Sequence, residues 1–540
     1  MRYFYTLVLV AFSLIGAAYI FFQPPFEGFD ENAHFSRIRE ASNSLYSSVF
    51  PSGYLDKSIS NYNGPIAYKS GVPPFSNDYT YRNFFKNPEL IRHYNTNYGI
   101  NKFNAPFEVG NEVNWEKQHP PLYYFIAGSF YKKINDSSLK TQFFLLRLLS
   151  LAFTVLGVFF SIRAATLACE RNISKYSEFS FKYGFLFYPI FFPMFFFEFS
   201  RLGNDSLSFL FTGLLAYALI RWFNDKTSLL KAISIGFILS LGVLTKAFFI
   251  PISAALLLFF VLKYKDIFLR SGILKNQLSL LINVFFIFFI PFVTTLAWFY
   301  VNKSFGEGYN FGSEIDTLNK NGGLLAGLRA NFNWSSFFYG LISPFVSFVW
   351  AGSWSLVHIK YFLYFPIYLI VLPSFYFAYK NKARKINFYY QDLLALFFIF
   401  LYFGLFVHSF IAIAINGIAG SPGWYFHIIF PWIAPVLGFG ILNLLEDNRM
   451  NSLFKSITRY LFLFHISGLW LYLTLYGGCS VKSDFKQFEF EGMYGCLDNI
   501  YSTFSNLKVL GEPYIGVIFL GTGFVILFLL VQALDSQKRK

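Results

Sequence analysis

The sequence predicts an all-α polytopic membrane protein of about 12 transmembrane helices, and three observations carry that prediction. Of 540 residues, 55% are hydrophobic and only 14% charged, whereas soluble domains carry roughly 25% charged residues. Aromatic residues reach 23%, with 76 Phe and 37 Tyr. Apolar runs of about 20 residues, the length that crosses a bilayer core, recur from end to end, with no polar linker of the kind that separates soluble domains. Gly, Pro and the three cysteines are too few for collagen, low-complexity disorder or a disulfide framework. Residues 1–540 therefore read as one integral membrane domain.

The first span is Tyr5–Phe22. Gly16-Ala17-Ala18 resembles a signal-peptide cleavage site, but Tyr19–Phe22 continue the apolar run, which favours an uncleaved anchor. Further spans are expected at Phe144–Leu167, Tyr183–Phe199, Leu207–Trp222, Ala232–Leu244, Phe248–Leu262, Leu278–Tyr300, Val357–Tyr379, Leu393–Ile413, Tyr425–Leu445, Tyr460–Tyr476 and Tyr514–Ala533. Pro121–Tyr131 is too short to cross and reads as an interfacial helix. Phe337–Trp350, broken by Pro344, reads as a surface or re-entrant element. Lys231–Lys265 must form two short helices meeting at Thr245-Lys246, tolerable where they line a protein-buried cavity.

The net charge of +15 is read as topology and not as a nucleic-acid footprint. With the N-terminus inside, the basic clusters around Arg171/Lys175, Arg221/Lys226/Lys231, Lys263/Lys265, Lys380/Lys382, Arg449/Lys455 and Lys538–Lys540 all fall on the cytoplasmic side, as the positive-inside rule requires. Both termini are then cytoplasmic. Three long segments lie outside: 23–142, which carries surface helices, 302–336 and 477–512. Cys479 and Cys496 share the third of these, where a disulfide can persist, and are expected to pair; Cys169 sits at the inner face and stays reduced.

The residues that could carry chemistry gather at the outer ends of the spans. Asp30-Glu31-Asn32-Ala33-His34-Phe35 follows the first span, with Asp30 placed to N-cap a short helix and Glu31 at its positive end. Asp30 and His34 are one turn apart and can share a face. The segment reads equally as a plain capped surface helix or as a general base, Asp30, with His34 beside it to orient it or bind an anion. His119 opens the interfacial helix in Gln118-His119-Pro120-Pro121, as a polar pre-helix residue or a participant in chemistry. Arg201 and Asp205, flanking Asn204 in a tight turn, can pair with each other, and Glu198 lies one turn before Arg201. Lys246, with no neighbour in sequence to neutralise it, is either snorkelling or functional. His358 and Lys360 open the eighth span, and Trp424-Tyr425-Phe426-His427 open the tenth. One carboxylate motif and several cations at one bilayer face suit transfer from a lipid phosphate, where the acceptor hydroxyl needs a base and the departing phosphate needs positive charge.

These motifs, with His119–Tyr124, Asn204-Asp205, Thr245-Lys246 and Tyr425–Pro431, resemble the multispanning GT-C glycosyltransferases that use polyprenyl-phosphate-linked sugars. The protein O-mannosyltransferase and aminoarabinose transferase branches are similar, and a largely uncharacterised bacterial branch with an Asp-Glu-x-x-His-Phe motif is more similar still. The resemblance covers most of the chain. It implies a GT-C-like fold in the bacterial inner membrane, serving a cell-envelope glycan from the extracytoplasmic face. It also implies an inverting transfer to a glycan, lipid or protein hydroxyl. The catalytic base is carried onto Asp30, with Glu31 as the alternative. The donor phosphate falls to Lys246 and Arg201, supported by His427, and the cavity lining to His119, Asn204, Asp205 and Tyr425. Some relatives use a divalent metal; a metal is compatible with this sequence, but no ligand spacing marks its site. The sequence is expected to lack the C-terminal soluble domain that some relatives carry, so acceptor recognition is expected from the first, second and third outer loops. Competing readings are a flippase or transporter of lipid-linked sugars, disfavoured by the scarcity of charge inside the spans and the lack of internal repeats, and an oligosaccharide polymerase or ligase sharing the same chemistry.

Overall fold

A computed structural model describes residues 2–65, 81–171, 175–268, 275–304, 313–320, 322–350, 361–380, 388–418, 422–446, 448–482, 490–491 and 495–539. The chain is mostly helical. Among the described residues eight helices are long and apolar enough to cross a bilayer: Tyr3–Phe22, Leu139–Glu170, Asp205–Asn224, Gln277–Lys303, Phe362–Lys380, Tyr389–Asn416, Gly423–Leu444 and Pro513–Leu534. A ninth is bent.

That bend corrects the expected straight span Tyr183–Phe199. Glu178–Phe191 and Met194–Ser200 meet at 81°. Pro193 caps the second helix; it has no N–H to continue the first, and its ring clashes with the preceding turn. The other expected spans are helical but fall short of the same criterion. Leu229–Val243 has 15 residues, about 22 Å at the helical rise. Phe249–Phe268 is interrupted by a non-helical Tyr264, and Tyr460–Tyr476 is the C-terminal part of the long helix Asn448–Tyr476. His358 and Lys360 lie outside the described residues.

Two smaller expectations also change. The helix Trp334–Val349 runs unbroken through Pro344. The Gly423 backbone lies flat on that proline, so close that a Cβ there would come within 1.6 Å of the Pro344 carbonyl. The interfacial helix Leu122–Tyr131 does more than lie on a surface. Its Gly128 permits contact with the backbone of Ala41 and Ser42, and Tyr123 and Tyr124 are fully buried.

The long segment after the first span folds into a cap over the helical bundle. It holds the helix Glu31–Asn43, the helix Leu122–Tyr131 and an antiparallel ribbon pairing Tyr54–Asp56 with Val109–Val113. Asp56 at the end of that ribbon is bound by Arg39 at 3.2 Å, so the ribbon is tied to the helix carrying Glu31 and His34. Between the last two long helices Cys479 and Cys496 form a disulfide, and the Cys479 carbonyl accepts from Arg82. The N-terminal helix packs along Pro513–Arg539, where Gly516 and Gly523 let Phe22 and Ile15 approach.

Candidate functional site

Asp30 sits where the cap meets the bundle, in an unusual backbone conformation. Its φ is 60°, in the left-handed region, which costs a non-glycine residue on the order of 1 kcal/mol or more. Phe26, four residues earlier, is also left-handed at φ 67°. The expected capping role fails: Asp30 occupies the N-cap position without a side-chain cap bond. Its Oδ1 instead accepts the indole N–H of Trp115 at 2.7 Å. Burial, with the Glu116 carboxylate nearby, pushes its carboxyl up to about 6 against the pull of Arg201, Trp115 and Lys246.

Glu31 has a different task. Arg147 donates to it twice, at 2.8 and 2.6 Å, and the backbone N–H groups of Leu202 and Gly28 donate at 2.9 and 3.0 Å. Both oxygens are fully committed to holding the segment Gln23–Asp30 in place. Arg147 is itself a correction, because it is a buried charge inside the expected span Phe144–Leu167. An Arg flanked on both sides by Leu pairs inside an apolar run is the signal that would have found it.

The cations form a closed circuit beside Asp30. Arg201 Nη1 donates to the Phe29 carbonyl at 2.7 Å, Nη2 to Asp205 at 2.8 Å, and Nε and Nη2 to Glu198 at 3.0 and 2.6 Å. The guanidinium is thus spent on protein acceptors. Asp205 receives Lys246 Nζ at 2.6 Å, so the lysine that lacked a partner in local sequence has one 41 residues away. The same ammonium lies 4.8 Å from the ring centroids of Tyr425 and Phe248. Trp424, next to Tyr425, stacks on Phe29 at 4.5 Å and 12°. Asn204 is fully buried and donates weakly to the Thr245 carbonyl at 3.5 Å.

His34 makes its contacts with Tyr124 and Glu116. Its Nδ1 is 2.9 Å from Tyr124 Oη and 3.2 Å from Glu116 Oε2. Glu116 also receives the Tyr124 hydroxyl at 2.7 Å and has His119 Nε2 at 3.4 Å. Burial pushes the Glu116 carboxyl up to about 7 and the His119 imidazole down to about 3, with Lys246 adding to the latter. Trp115 and Glu116 escaped sequence reading because a Trp-Glu pair in a loop is ordinary in composition. Their only local mark is Asn114, which caps the turn. His427 is not gathered into this cluster: it bonds Tyr188 at 2.5 Å and stacks on Phe348 at 4.4 Å. Among the described residues no group of three or more His, Cys, Asp or Glu side chains is arranged to hold a metal ion.

Phe348 and Phe426 also line an apolar cavity of about 440 Å³. It runs down between Phe365–Lys380 and Phe388–Asn416, past Tyr368, Phe375 and Phe398 to Tyr379. The turn Gly423–Ile429 thus touches the charged cluster through Tyr425 and the cavity through Phe426.

A family model described as "Predicted membrane protein (DUF2142)" matches residues 12–427. The chain belongs to this family. The matched region takes in Asp30, Glu116, Arg201, Asp205, Lys246 and Tyr425, so the whole charged circuit lies within the DUF2142 unit. Two solved structures are similar at 12% identity, each match covering 97% of this chain and 76% of the other. They are ArnT from Cupriavidus metallidurans bound to undecaprenyl phosphate, TM-score 0.44, and ArnT from the same organism in the apo state, TM-score 0.40. No curated protein matches the chain.

Proposed function

We propose that this membrane protein is a glycosyltransferase that moves a sugar from a polyprenyl-phosphate donor to an acceptor hydroxyl at the extracytoplasmic face, with inversion. One observation carries the reading: a strained, partly buried carboxylate, Asp30, follows Phe29, whose carbonyl is tied through Arg201 and Asp205 to the Lys246 ammonium, and among the described residues that ammonium has one hydrogen-bond acceptor and faces two aromatic rings. The free oxygen of Asp30 takes the proton of the acceptor hydroxyl. The hydroxyl oxygen then attacks the anomeric carbon, and the bond to the lipid phosphate breaks with its electron pair leaving on the phosphate. Lys246 neutralises that phosphate; it has three N–H donors and uses one on Asp205. Arg201 acts behind it, fixing Asp205 and the Phe29 carbonyl. The apolar cavity beside Phe426 suits the isoprenoid chain, with Trp424 and Phe29 as the aromatic surface near the sugar. In this reading both termini are cytoplasmic and the protein resides in the inner membrane.

The test is incubation of detergent-purified protein with defined undecaprenyl-phosphate sugars, following release of undecaprenyl phosphate and the fate of the sugar. Sugar on a new hydroxyl, lost in Asp30→Asn, supports the reading. Transfer of a preassembled glycan would make the enzyme a polymerase or ligase. Movement of intact donor across proteoliposomes without bond cleavage would make it a transporter and end the glycosyltransferase reading.

A further inference from the structure

The turn Gly423–Ile429 is held at both ends. The Gly423 N–H donates to Ser347 Oγ at 2.7 Å, and its backbone lies directly on Pro344. At the other end His427 pairs with Tyr188 at 2.5 Å. On this fixed turn the Trp424 indole stacks on Phe29, the residue before Asp30, at 4.5 Å and 12°. It also meets the Tyr425 ring at 5.8 Å, and Tyr425 lies 4.8 Å from the Lys246 ammonium. The indole thus joins the neighbour of the base to the ring that faces the cation. Its Nε1 is buried and has no hydrogen-bond acceptor among the described residues, although the residue as a whole is half-buried. An indole N–H can only donate, and a buried donor left without an acceptor is costly. Stacking alone needs no such group: the chain has 76 Phe and 9 Trp. Other buried polar atoms lack acceptors too; this one is carried on a ring that touches both Phe29 and Tyr425.

We propose that Trp424 binds the sugar of the donor, its N–H donating to a sugar oxygen while its ring stays packed on Phe29. The inference rests on the glycosyltransferase reading and names the part of the donor that this residue meets. With the phosphate at Lys246 and the attacking hydroxyl at Asp30, an aligned displacement puts the anomeric carbon between the two. The sugar ring then falls against the side chain that touches the neighbours of both. A neutral donor suits a hydroxyl or carbonyl oxygen there, and adds no charge beside the lipid phosphate.

The test uses the full-length protein in detergent, two replacements of Trp424 and two ligands. Trp424→Phe removes the N–H and shrinks the ring. Replacing Trp424 by β-(3-benzothienyl)alanine keeps the size and stacking of the ring and puts sulfur where the N–H stood. Affinities for undecaprenyl phosphate and for an undecaprenyl-phosphate sugar are measured by microscale thermophoresis, in an Asp30→Asn background so that the donor is not consumed. Both replacements should weaken the sugar-bearing ligand by about three- to tenfold, the scale of one hydrogen bond, and leave bare undecaprenyl phosphate unchanged. Full affinity with the benzothienyl side chain would mean that the ring and not the N–H makes the contact, and overturns the proposal. Equal losses on both ligands would give the N–H to the phosphate or reflect damage to the turn, and overturn it as well. A protein that binds neither ligand overturns this inference and the polyprenyl-phosphate reading together. Because these are binding measurements, they stand apart from catalysis: if the wild type moves intact donor without bond cleavage, the glycosyltransferase reading falls, while a loss confined to the sugar-bearing ligand still assigns Trp424 to the sugar.

Discussion

The carboxylate of Glu31 and the guanidinium of Arg147, 116 residues apart in the chain, lie in side-by-side register, with Nε–Oε1 at 2.8 Å and Nη2–Oε2 at 2.6 Å. Both side chains are no more than 1% exposed. Arg147 also donates to the carbonyls of Gln23 and Pro24 at 2.6 and 2.7 Å, so the pair anchors the segment that delivers Asp30. Removing one member of a buried pair strands the other, at a cost of about 3–5 kcal/mol. Glu31→Ala and Arg147→Met should each lower the thermal unfolding midpoint in detergent sharply. The double variant should lose less than the sum of the two. A Glu31→Ala protein as stable as wild type would show that the pair does not hold this segment.

Asp30→Asn should behave in the opposite way, losing activity while gaining stability. The carboxyl is pushed up to about 6 in the folded protein, against an ordinary value near 3.9. A raised acid group favours the fold below the ordinary value, and that contribution is lost as pH rises through about 6. Wild type and Asp30→Asn should therefore match near pH 4, and the variant should be more stable at pH 7.5, by on the order of 1–2 kcal/mol. Unfolding midpoints across that range check the sign, and equal midpoints throughout would mean that Asp30 is not held in this environment. The wild-type transfer rate should rise with pH across the same interval.

How much of this could be read in advance depended on distance along the chain. Asp30, Arg201, Asp205 and Lys246 were visible because charges at the ends of apolar spans are costly and rarely idle. The local pairs Glu198–Arg201 and Arg201–Asp205 followed from helical spacing. What stayed hidden was the set of partners brought in by the fold: Glu116 against His34, Trp115 against Asp30, Arg147 against Glu31. Each joins residues 82 to 116 positions apart, and no periodicity spans that. The sharp bend at Phe192-Pro193 was missed because apolar length alone cannot distinguish one straight span from two short helices.

Lys246 should be the cation whose loss removes donor turnover. Lys246→Met keeps the stem over Tyr425 and Phe248 but deletes the charge, and should lower kcat/KM by about 100-fold or more, the scale for one electrostatic group at a reacting centre. Lys246→Arg should retain part of the rate. Arg201→Lys should instead reduce stability first, because it strips hydrogen bonds from Glu198, Asp205 and the Phe29 carbonyl together. Binding of undecaprenyl phosphate alone, measured by microscale thermophoresis, separates the two roles. Unchanged affinity in Lys246→Met would remove the phosphate role from that residue.

The disulfide should matter through the cap. Cys479 and Cys496 are 17 residues apart, and closing a loop of that size stabilises a fold by about 3 kcal/mol in the chain-entropy account. The Cys479 carbonyl holds Arg82, and the same short helix supplies Tyr81, which with Tyr476 donates to the buried Glu27 carboxylate. Reduction, or Cys496→Ser, should lower the unfolding midpoint and raise proteolytic cleavage between residues 477 and 512. An unaltered midpoint under reductant would exclude this contribution.

The apolar cavity gives the last prediction, and it separates the lipid part of the donor from the sugar part. The space of about 440 Å³ is lined by Phe345, Phe375, Phe398 and their neighbours, and Ala395 is the smallest side chain on its wall. Placing an indole there removes room that an isoprenoid chain would occupy, without touching Asp30, Lys246 or Arg201. Burying apolar chain is favourable by about 0.8 kcal/mol per methylene, so a long-chain donor draws much of its affinity from such a groove and a short-chain analogue little. Ala395→Trp should therefore raise KM for a fifty-five-carbon donor by about tenfold, equivalent to about 1.4 kcal/mol, and leave KM for a ten-carbon analogue near the wild-type value. Equal effects on both donors would place the lipid chain elsewhere and leave the charged circuit as the whole of the donor site.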